Sequence, residues 1–247
     1  MVSVFIMTQS VPVTPQELPA PLPAETVSAL NRPDGTLHTT RTRHWNGWDL
    51  EVPPGVFRPG LTSEMIADRV LSGEIETRGR RYLAMGCGLG LEVIAAGVRG
   101  AAHTYAVDVH PASVETAVGH LDRLAGGAAR TGIVADLLDG VPDSTVVDVV
   151  TFNPPAVSVR VDDDPDVVRN VCEGAPLLER FFAQLAERDV LAPDGEVFVI
   201  ASNTADLPAL VDSALRHGFD AGLALRHDWG DGVITHLFRF TRAGGAR

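Results

Sequence analysis

From residue 61 onward, hydrophobic and polar positions along the chain follow two alternating patterns. Short apolar runs rich in β-branched and aromatic residues predict buried strands. The runs are RYLAM (81–85), AHTYAV (102–107), TGIVAD (131–136), VVDVVTF (146–152) and GEVFVIAS (195–202). Polar and glycine-containing segments separate them, so we expect them to lie side by side in one sheet.

Between these strands, apolar residues recur at helical spacing. LTSEMIADRVLSGEI places Ile66, Val70 and Leu71 on one face, with Thr62 or Ser63 as the expected N-cap. The other predicted helices are GLEVIAAGVRG (90–100), PASVETAVGHLDRLAG, APLLERFFAQLAERDVL and ADLPALVDSALRHGF.

The order of these elements predicts the fold class. Alternation of strands and helices over about 160 residues is typical of an open α/β sheet, mostly parallel, with helices on both faces. The tail GLALRHDWGDGVITHLFRFTR indicates two strands around Gly230-Asp231-Gly232, and therefore a C-terminal antiparallel hairpin. Ligands of such sheets bind beyond the carboxyl ends of the parallel strands.

The N-terminal residues differ in composition. Residues 1–36 are rich in Pro, Ser and Thr, which is typical of an extended or partly ordered arm. RTRHWNGWDLEVPPGVFRPG (41–60) carries Asn46-Gly47, a hairpin-turn signal. We therefore expect an arm and hairpin cap over residues 1–60 and a main domain over residues 61–247. Either Met1 or Met7 could be the natural start.

Composition and charge narrow the function. Hydrophobic residues make up 45% of the 247, which is ample for a packed core, and the net charge is -12. This charge disfavours broad capture of nucleic acid and is compatible with cationic or neutral substrates. The two cysteines and eight histidines show no metal-ligand spacing, and we predict no metal. No secretory signal or membrane-spanning run is recognisable, so we expect a reduced cytoplasmic protein.

Three alternating glycines follow the first predicted strand of the main domain. Gly86, Gly88 and Gly90 lie in MGCGLG, at the turn into a helix. Glycines there let backbone N–H groups approach a ligand closely, although a tight strand–helix turn is the simpler explanation. The dinucleotide pattern G-x-G-x-x-G would need glycine at position 91, where Leu91 stands. This spacing disfavours a nicotinamide oxidoreductase.

Acidic residues follow the next two strands. Asp108 could accept both hydroxyls of a ribose, or it could serve only the entry into the next helix. Asp136 could accept an amino group of an adenine ring that Leu137 covers, and a turn role is nearly as plausible.

Asn153-Pro154-Pro155 ends the fourth strand. Neither proline can donate to a sheet, and Pro154 restricts Asn153 to extended conformations. The Asn153 side-chain carbonyl and the Pro154 backbone carbonyl would then be two rigidly held acceptors, suited to an amino group with two N–H bonds. Termination of a strand at the sheet edge is the alternative.

Together, these residues resemble the class I S-adenosylmethionine (SAM)-dependent methyltransferases. More narrowly, they resemble the Asn-Pro-Pro-Tyr group of N-methyltransferases, which act on release-factor glutamine, on adenine N6 and on guanine N2 of RNA. The resemblance covers about residues 52–241, with GVFRPGLTSE (55–64) and CEGAPLLERFF (172–182) as flanking similarities. It implies a Rossmann-like methyltransferase sheet.

The resemblance also implies roles for individual residues. Asn153 and Pro154 would be catalytic, and Pro155 and Ala156 would contact the methyl acceptor. Asp163, from its acidic loop, and Trp45, from the hairpin segment, are further candidate contacts with the acceptor. Residues expected to hold SAM are Thr62, Gly86, Cys87, Gly88, Gly90, Asp108, Val109, Asp136, Leu137 and Asn153. For Trp45, packing in the core is equally compatible with the sequence.

Two positions depart from the group's pattern. Ala84 stands where an acidic residue usually precedes the first glycine, and Ala156 replaces the aromatic residue of the motif. The second change disfavours stacking on a flat base. VRVDDDPDVVRN (159–170) predicts an acidic loop around Asp163, for which a solvated surface loop is the simpler explanation. If this loop is functional, it favours, together with Ala156, a small, cationic nitrogen compound of specialised metabolism, or a peptide, as substrate. The alternatives are N-methylation of protein glutamine or arginine or of nucleic acid, and a SAM-binding module without catalysis.

Overall fold

A computed structural model describes residues 4–244 of the chain. These residues form two compact units. The parallel unit comprises Asp34–Asn153 and Asp189–Ala192. The antiparallel unit comprises the described residues up to Pro33, Pro154–Arg188 and the described residues from Pro193 onward.

Strands and helices alternate along most of the described chain. The strands are β1 (Val4–Pro12), β2 (Arg41–Trp45), β3 (Trp48–Val52), β4 (Arg81–Met85), β5 (His103–Asp108), β6 (Arg130–Val134), β7 (Val147–Phe152), β8 (Leu191–Ser202), β9 (Phe219–Asp228) and β10 (Ile234–Arg242). The α-helices are α1 (Ala24–Leu30), α2 (Leu61–Ser72), α3 (Leu91–Arg99), α4 (Pro111–Leu124), α5 (Pro165–Val171), α6 (Ala175–Glu187) and α7 (Leu207–Arg216). A short 3₁₀ helix spans Pro15–Glu17.

The parallel unit contains strands in the order β7-β4-β5-β6, and each neighbouring pair runs parallel. The chain moves outward from β4 to β5 and β6, and then returns to the other side of β4 as β7. This reversal creates a topological switch point between β4 and β7, where open α/β sheets bind their ligands. The two-stranded sheet of β2 and β3 also belongs to this unit.

Helices α2, α3 and α4 cover apolar residues of the parallel unit. Ile66 and Val70 of α2 are fully buried, as the helical spacing predicted. A side chain at Gly97 of α3 would overlap Leu121 of α4, so the absence of one lets these helices pack closely.

The antiparallel unit contains strands in the order β1-β9-β10-β8, with antiparallel pairing throughout. Its core is a cluster of buried aromatic rings. The Phe182 ring centroid lies 4.9 Å from that of Phe240 and 5.6 Å from that of Phe219. Asp206 caps α7 by accepting the backbone N–H of Ala209.

The structure confirms the α/β class, the parallel strands and the C-terminal antiparallel hairpin. The turn at Asn46-Gly47 also forms as expected, with positive φ at both residues (47° and 79°). The division into residues 1–60 and 61–247 stays a prediction. Among the described residues, no helix is long and apolar enough to cross a membrane.

Three local expectations need correction. Gly60, and neither Thr62 nor Ser63, is the N-cap of α2, because the helix begins at Leu61 and the Ser63 hydroxyl is used elsewhere. Within the expected arm, β1 pairs with β9 and Ala24–Leu30 is helical. The acidic loop is shorter than expected, because the Asp164 carboxylate accepts the Asp166 N–H and starts helix α5.

Candidate functional site

The carboxyl ends of all four parallel strands lie at one edge of the sheet. In the register, Met85 pairs with both Val107 and Phe152, and Asp108 pairs with Val134. The residues that follow these positions are therefore neighbours. They are Gly86 after β4, Val109 after β5, Ala135 and Asp136 after β6, and Asn153 after β7.

The glycine loop (Gly86–Gly90) connects β4 to α3. Its three glycines adopt positive φ values of 62°, 49° and 93° at Gly86, Gly88 and Gly90. Residues with a Cβ adopt this backbone region at a cost, so the loop shape itself requires the glycines. The Cys87 N–H donates to the Val107 carbonyl (2.9 Å), which ties the loop to β5.

The three glycines differ in what a side chain would meet. A Cβ at Gly90 would lie 2.7 Å from the Cα of Ala117 in α4, and one at Gly86 would lie 3.2 Å from the Phe152 ring. A Cβ at Gly88 would have no protein atom nearer than 3.9 Å. Gly90 is thus needed for helix packing, whereas Gly88 borders open space that a ligand can enter.

Asp108 joins the glycine loop to the start of α4. Its side chain accepts the Gly88 N–H at Oδ2 and the His110 N–H at Oδ1, both at 2.9 Å. The helix-entry role that the sequence left open is therefore realised. Each carboxylate oxygen can accept more than one hydrogen bond, so a ribose role remains compatible and stays a prediction.

Apolar side chains are exposed beside this edge. Val109 is 50% exposed and Val134 is 52% exposed. Leu137 is buried and has a positive φ of 55°, which is rare for a leucine. Backbone strain of this kind clusters at ligand sites, which supports the predicted cover for an adenine ring. Asp136 is exposed, and its role stays a prediction.

The Cys87 thiol is held in its neutral form. The residue is buried, and burial together with the nearby charges of Asp108 and Glu92 raises the pKa of the thiol well above its usual value. A neutral thiol is a poor nucleophile, so Cys87 can contribute its backbone to the loop but not covalent chemistry.

Asn153 has a defined orientation at the end of β7. Its Nδ2 donates to the Ser63 Oγ at 2.9 Å, and Ser63 is buried in the first turn of α2. This hydrogen bond directs the amide nitrogen toward α2. The amide oxygen accepts no hydrogen bond from the described residues, so Oδ1 is available as an acceptor.

In the antiparallel unit, the residues after Asn153 are fixed by backbone hydrogen bonds. The Pro154 carbonyl accepts the Ala156 N–H at 2.8 Å, and the Pro155 carbonyl accepts the N–H groups of Glu173 (2.7 Å) and Gly174 (3.1 Å). Ala156 is buried and forms an isolated bridge with Cys172. The two prolines therefore continue into a segment that α5 and α6 hold in place. The Ala156 N–H thus occupies one of the two lone pairs of the Pro154 carbonyl oxygen.

Other predicted site residues have mainly structural contacts. Trp45 is buried and donates its indole N–H to Asp68 at 2.9 Å, the arrangement that core packing predicts. Asp163 is 98% exposed at its side chain and pairs with Arg160. Thr62 is half-buried in α2. Contacts of these residues with a ligand stay predictions.

Sequence reasoning missed two residues of this edge. Ser63 was considered only as a helix cap, although it shares the buried face of α2 with Ile66 and Val70. A hydroxyl group among the apolar residues of a helix face was the sequence signal that could have indicated a buried polar contact. Glu92, in the first turn of α3, was not considered, although it is the one acidic residue of the helix sequence LEVIAAGVR, in which only Arg99 is also charged.

Comparisons with known proteins agree with this description. No protein-family model matches the chain. A protein of Methanocaldococcus jannaschii, named "Putative protein N5-glutamine methyltransferase", is 25% identical over 191 residues, which cover 73% of this chain and 89% of the relative.

Solved structures show the same fold at low sequence identity. A ribosomal protein L11 methylase of Lactobacillus delbrueckii subsp. bulgaricus has a TM-score of 0.56 and 19% identity, covering 78% of this chain and 84% of its own. The E. cuniculi Mtq2–Trm112 complex is responsible for methylation of the eRF1 translation termination factor. Its matched chain has a TM-score of 0.54 and 17% sequence identity, and the match covers 76% of this chain and 99% of that chain.

A third solved structure contains the methyl donor. A 16S rRNA N2 methyltransferase of T. thermophilus, in complex with AdoMet and guanosine, has a TM-score of 0.57 and 18% identity and covers 83% of this chain and 50% of its own. The chain therefore has the fold of these SAM-dependent methyltransferases, together with a distant similarity to a protein named as an N5-glutamine methyltransferase.

Proposed function

We propose that this SAM-dependent methyltransferase transfers the methyl group to a nitrogen atom whose lone pair is delocalised, as in an amide, guanidine or conjugated amine. The orientation of Asn153 carries this proposal. Its Nδ2 is bonded to Ser63 (2.9 Å), which leaves Oδ1 as a fixed acceptor at the switch point. An acceptor of this kind suits an N–H group of the substrate.

The parallel unit offers the groups that would hold SAM. The open space beside Gly88 would let the loop backbone approach the donor, and the Asp108 carboxylate, which accepts the Gly88 N–H (2.9 Å), would accept the hydroxyls of its ribose. Val109 and Leu137 offer apolar cover to an adenine ring. When bound, SAM supplies an electrophilic methyl group on a sulfonium.

Asn153 would orient the acceptor nitrogen. Its Oδ1 would accept one N–H bond, with the Pro154 carbonyl as the predicted second acceptor, so that the lone pair faces the methyl group. The same oxygens would favour the positive charge that develops on nitrogen in the transition state. Most of the rate enhancement would then come from positioning, and a strong general base is not required.

A cationic small molecule is the favoured acceptor. The net charge of -12 favours it, as does Ala156, which offers no aromatic ring for stacking on a base. Protein glutamine is the second candidate, supported by the names of the M. jannaschii relative and the Mtq2–Trm112 structure. The low number of cysteines, two, supports the prediction of a reduced cytoplasmic setting.

Incubation with isotope-labelled SAM would distinguish the acceptors. A cell extract is separated into metabolite and protein fractions before incubation, and labelled products are identified by mass spectrometry. Label on nitrogen in the metabolite fraction supports the favoured proposal, and label on glutamine supports the second. Label on carbon or oxygen alone contradicts N-methylation.

Variants of the Asn153–Ser63 pair test the mechanism. Asn153→Ala should leave the Kd for SAM within about threefold of the wild type, while kcat falls on the order of 100-fold because positioning is lost. Ser63→Ala removes only the orienting hydroxyl and should reduce kcat less. Unchanged turnover of Asn153→Ala would refute the assigned role. Tight SAM binding without transfer to any fraction would instead support a non-catalytic SAM-binding module.

A further inference from the structure

A cavity of about 600 Å³ lies within the antiparallel unit, between residues 11–19 and strands β9 and β10. Its wall is mostly apolar and includes Val13, Leu18, Leu223 and Ile234. Small-molecule sites have volumes of about 300–1,000 Å³ and an apolar lining with a few well-placed polar groups. The cavity therefore has the size and the kind of wall that suit a small ligand, and none of its residues belongs to the proposed SAM site.

Two polar side chains of the wall, Arg226 and His236, lie side by side. They are direct register partners in the β9–β10 pair, so both project from the same face of the sheet. The Cβ atoms of such partners are about 4.5–5.5 Å apart. His236 is only 3% exposed, whereas the Arg226 side chain is 43% exposed. A ligand that enters the cavity can therefore meet the guanidinium first and the imidazole at greater depth.

The imidazole of His236 has an unused hydrogen-bonding atom. Its Nδ1 is buried and has no hydrogen-bond partner within residues 4–244. Buried polar atoms are normally paired, because an unpaired one costs free energy. Burial, together with the charge of Arg226, lowers the pKa of His236 to about 4, so the ring is neutral at pH 7. A nitrogen of a neutral imidazole either donates or accepts one hydrogen bond, and a hydroxyl group complements it in both cases.

The Arg226 guanidinium is only partly engaged. Its Nη2 donates to Asp228 over 3.4 Å, and Asp228 also accepts the Gly230 N–H in the following turn. The other side-chain donors of Arg226 make no hydrogen bond within the described part of the chain, and their fork fits a carboxylate. The acidic residue of the wall, Glu17, has a structural role, because its carboxylate accepts the backbone N–H and the hydroxyl of Thr14 at the start of the 3₁₀ helix.

We propose that this cavity is a second ligand site, which binds a small carboxylic acid with an apolar body and a hydroxyl group close to the carboxylate. The carboxylate would accept N–H groups of Arg226, and the hydroxyl would pair with the Nδ1 of His236. The apolar body would lie along the wall formed by Val13, Leu18 and Leu223. Because the two polar residues are register partners, a separation of one or two carbon atoms between the ligand's polar groups is favoured.

Titration calorimetry with three ten-carbon probes tests the proposal. 3-Hydroxydecanoate has both polar groups, decanoate lacks the hydroxyl, and 1,3-decanediol replaces the carboxylate by an alcohol. 3-Hydroxydecanoate should bind about 3- to 10-fold more tightly than decanoate, the range for one neutral hydrogen bond. It should bind about 10- to 100-fold more tightly than 1,3-decanediol, the range for a hydrogen bond to a charged group. This series uses the wild-type protein and holds even if a variant does not fold.

Two variants assign these differences to residues. Arg226→Met keeps an apolar stem and should remove the advantage of the carboxylate. His236→Phe keeps a ring that can stack on Phe238 and should remove only the advantage of the hydroxyl, so that decanoate binds it as it binds the wild type. Arg160→Met, at an exposed arginine of the same unit, is the matched control and should bind all three probes with wild-type affinity.

Four results would each overturn the inference. They are the absence of saturable 3-hydroxydecanoate binding to the wild type, equal affinity for all three probes, wild-type affinity in Arg226→Met, and competitive displacement of the probe by SAM. Displacement by SAM would place the probe in the proposed donor site. Failure of the wild type to bind SAM would instead overturn the proposed function, and the affinities of the three probes would still decide this inference.

Discussion

Substitution of single glycines in the glycine loop should separate packing from ligand binding. Gly88→Ala and Gly90→Ala each add one methyl group at a positive-φ position, two residues apart in the loop. In the structure, the added Cβ at Gly90 meets the Ala117 backbone at 2.7 Å, whereas at Gly88 the nearest protein atom is 3.9 Å away. The same chemical change should therefore affect stability at one site and ligand binding at the other.

The magnitudes follow from these contacts. A left-handed conformation costs a residue with a Cβ about 1–2 kcal/mol, and this cost applies to both variants. Gly90→Ala adds the cost of overpacking against α4, about 1–3 kcal/mol. We therefore expect the free energy of unfolding to fall by about 2–5 kcal/mol for Gly90→Ala and by about 1–2 kcal/mol for Gly88→Ala. The larger value is a substantial part of a typical domain's stability of about 5–15 kcal/mol.

Gly79→Ala is the matched control, because Gly79 has a positive φ of 69° in a turn with no neighbouring atom within 4 Å. It measures the backbone cost alone. Urea denaturation gives the three stabilities, and calorimetry below the unfolding transition gives SAM affinity, which should drop at least tenfold only in Gly88→Ala. Wild-type SAM affinity in Gly88→Ala would refute the assignment of the open space to the donor. Equal destabilisation of Gly88→Ala and Gly90→Ala would refute the packing argument.

Further substitutions test other contacts of the parallel unit. In Asp108→Asn, the amide NH₂ replaces one of the two carboxylate oxygens that accept the backbone N–H groups of Gly88 and His110, so one of these hydrogen bonds is lost. We expect the Kd for SAM, measured by calorimetry, to rise about 10- to 100-fold. Trp45→Phe loses the hydrogen bond to Asp68 and should lower the free energy of unfolding by about 1 kcal/mol in urea, without changing the Kd for SAM. Because the pKa of Glu92 is raised from 4.5 to about 7, the folded chain holds a proton that the unfolded chain has released, and stability falls as pH rises through this window. Glu92→Gln should remove this slope and be more stable than the wild type at pH 8 by about 1–3 kcal/mol in urea unfolding, whereas an unchanged slope would contradict the pKa shift.

The pattern of apolar residues was sufficient to predict the parallel strands and their order of appearance, because buried strands and amphipathic helices differ in period. It also indicated the strand ends as the place to look for a site. The strand β1 was missed, because a segment rich in Pro, Ser and Thr does not reveal that β9 offers it an edge. Tertiary pairing decides the conformation of such a segment, and local propensity does not.

Helix α5 was missed for a related reason. The run of aspartates predicted a solvated loop, although Asp164-Pro165 is a helix start: an acidic N-cap followed by proline at the first helical position. The same aspartates therefore fit two predictions, a solvated acidic loop and the N-terminus of a helix. Capping was the stronger effect here, because Asp164 accepts the N–H of Asp166 at 2.9 Å.

Candidate residues of the site fell into two groups. Those fixed by backbone geometry, such as Gly88 and Asp108, could be found from their position after a strand. Ser63 could not, because it contacts Asn153 from a helix whose distance from β7 is set by packing. A polar residue on a buried helical face is a signal of such a role, but it identifies the partner only when the structure is known.

Adjacent strands determine how the two reactants would meet. Met85 and Phe152 are register partners, so Gly86 and Asn153 follow them on strands that lie about 4.8 Å apart. The starts of the glycine loop and of the segment at Asn153 are thereby held side by side by the hydrogen bonds of the sheet. If the loop binds the donor and Asn153 orients the acceptor, as proposed, a near-attack geometry with reacting atoms about 3–3.5 Å apart would depend on the β4–β7 register. A side chain at Gly86 would press on the ring of Phe152 at 3.2 Å and so displace the residue that immediately precedes Asn153. Under the proposed mechanism, the glycine at this position would serve the acceptor side of the reaction as well as the donor side.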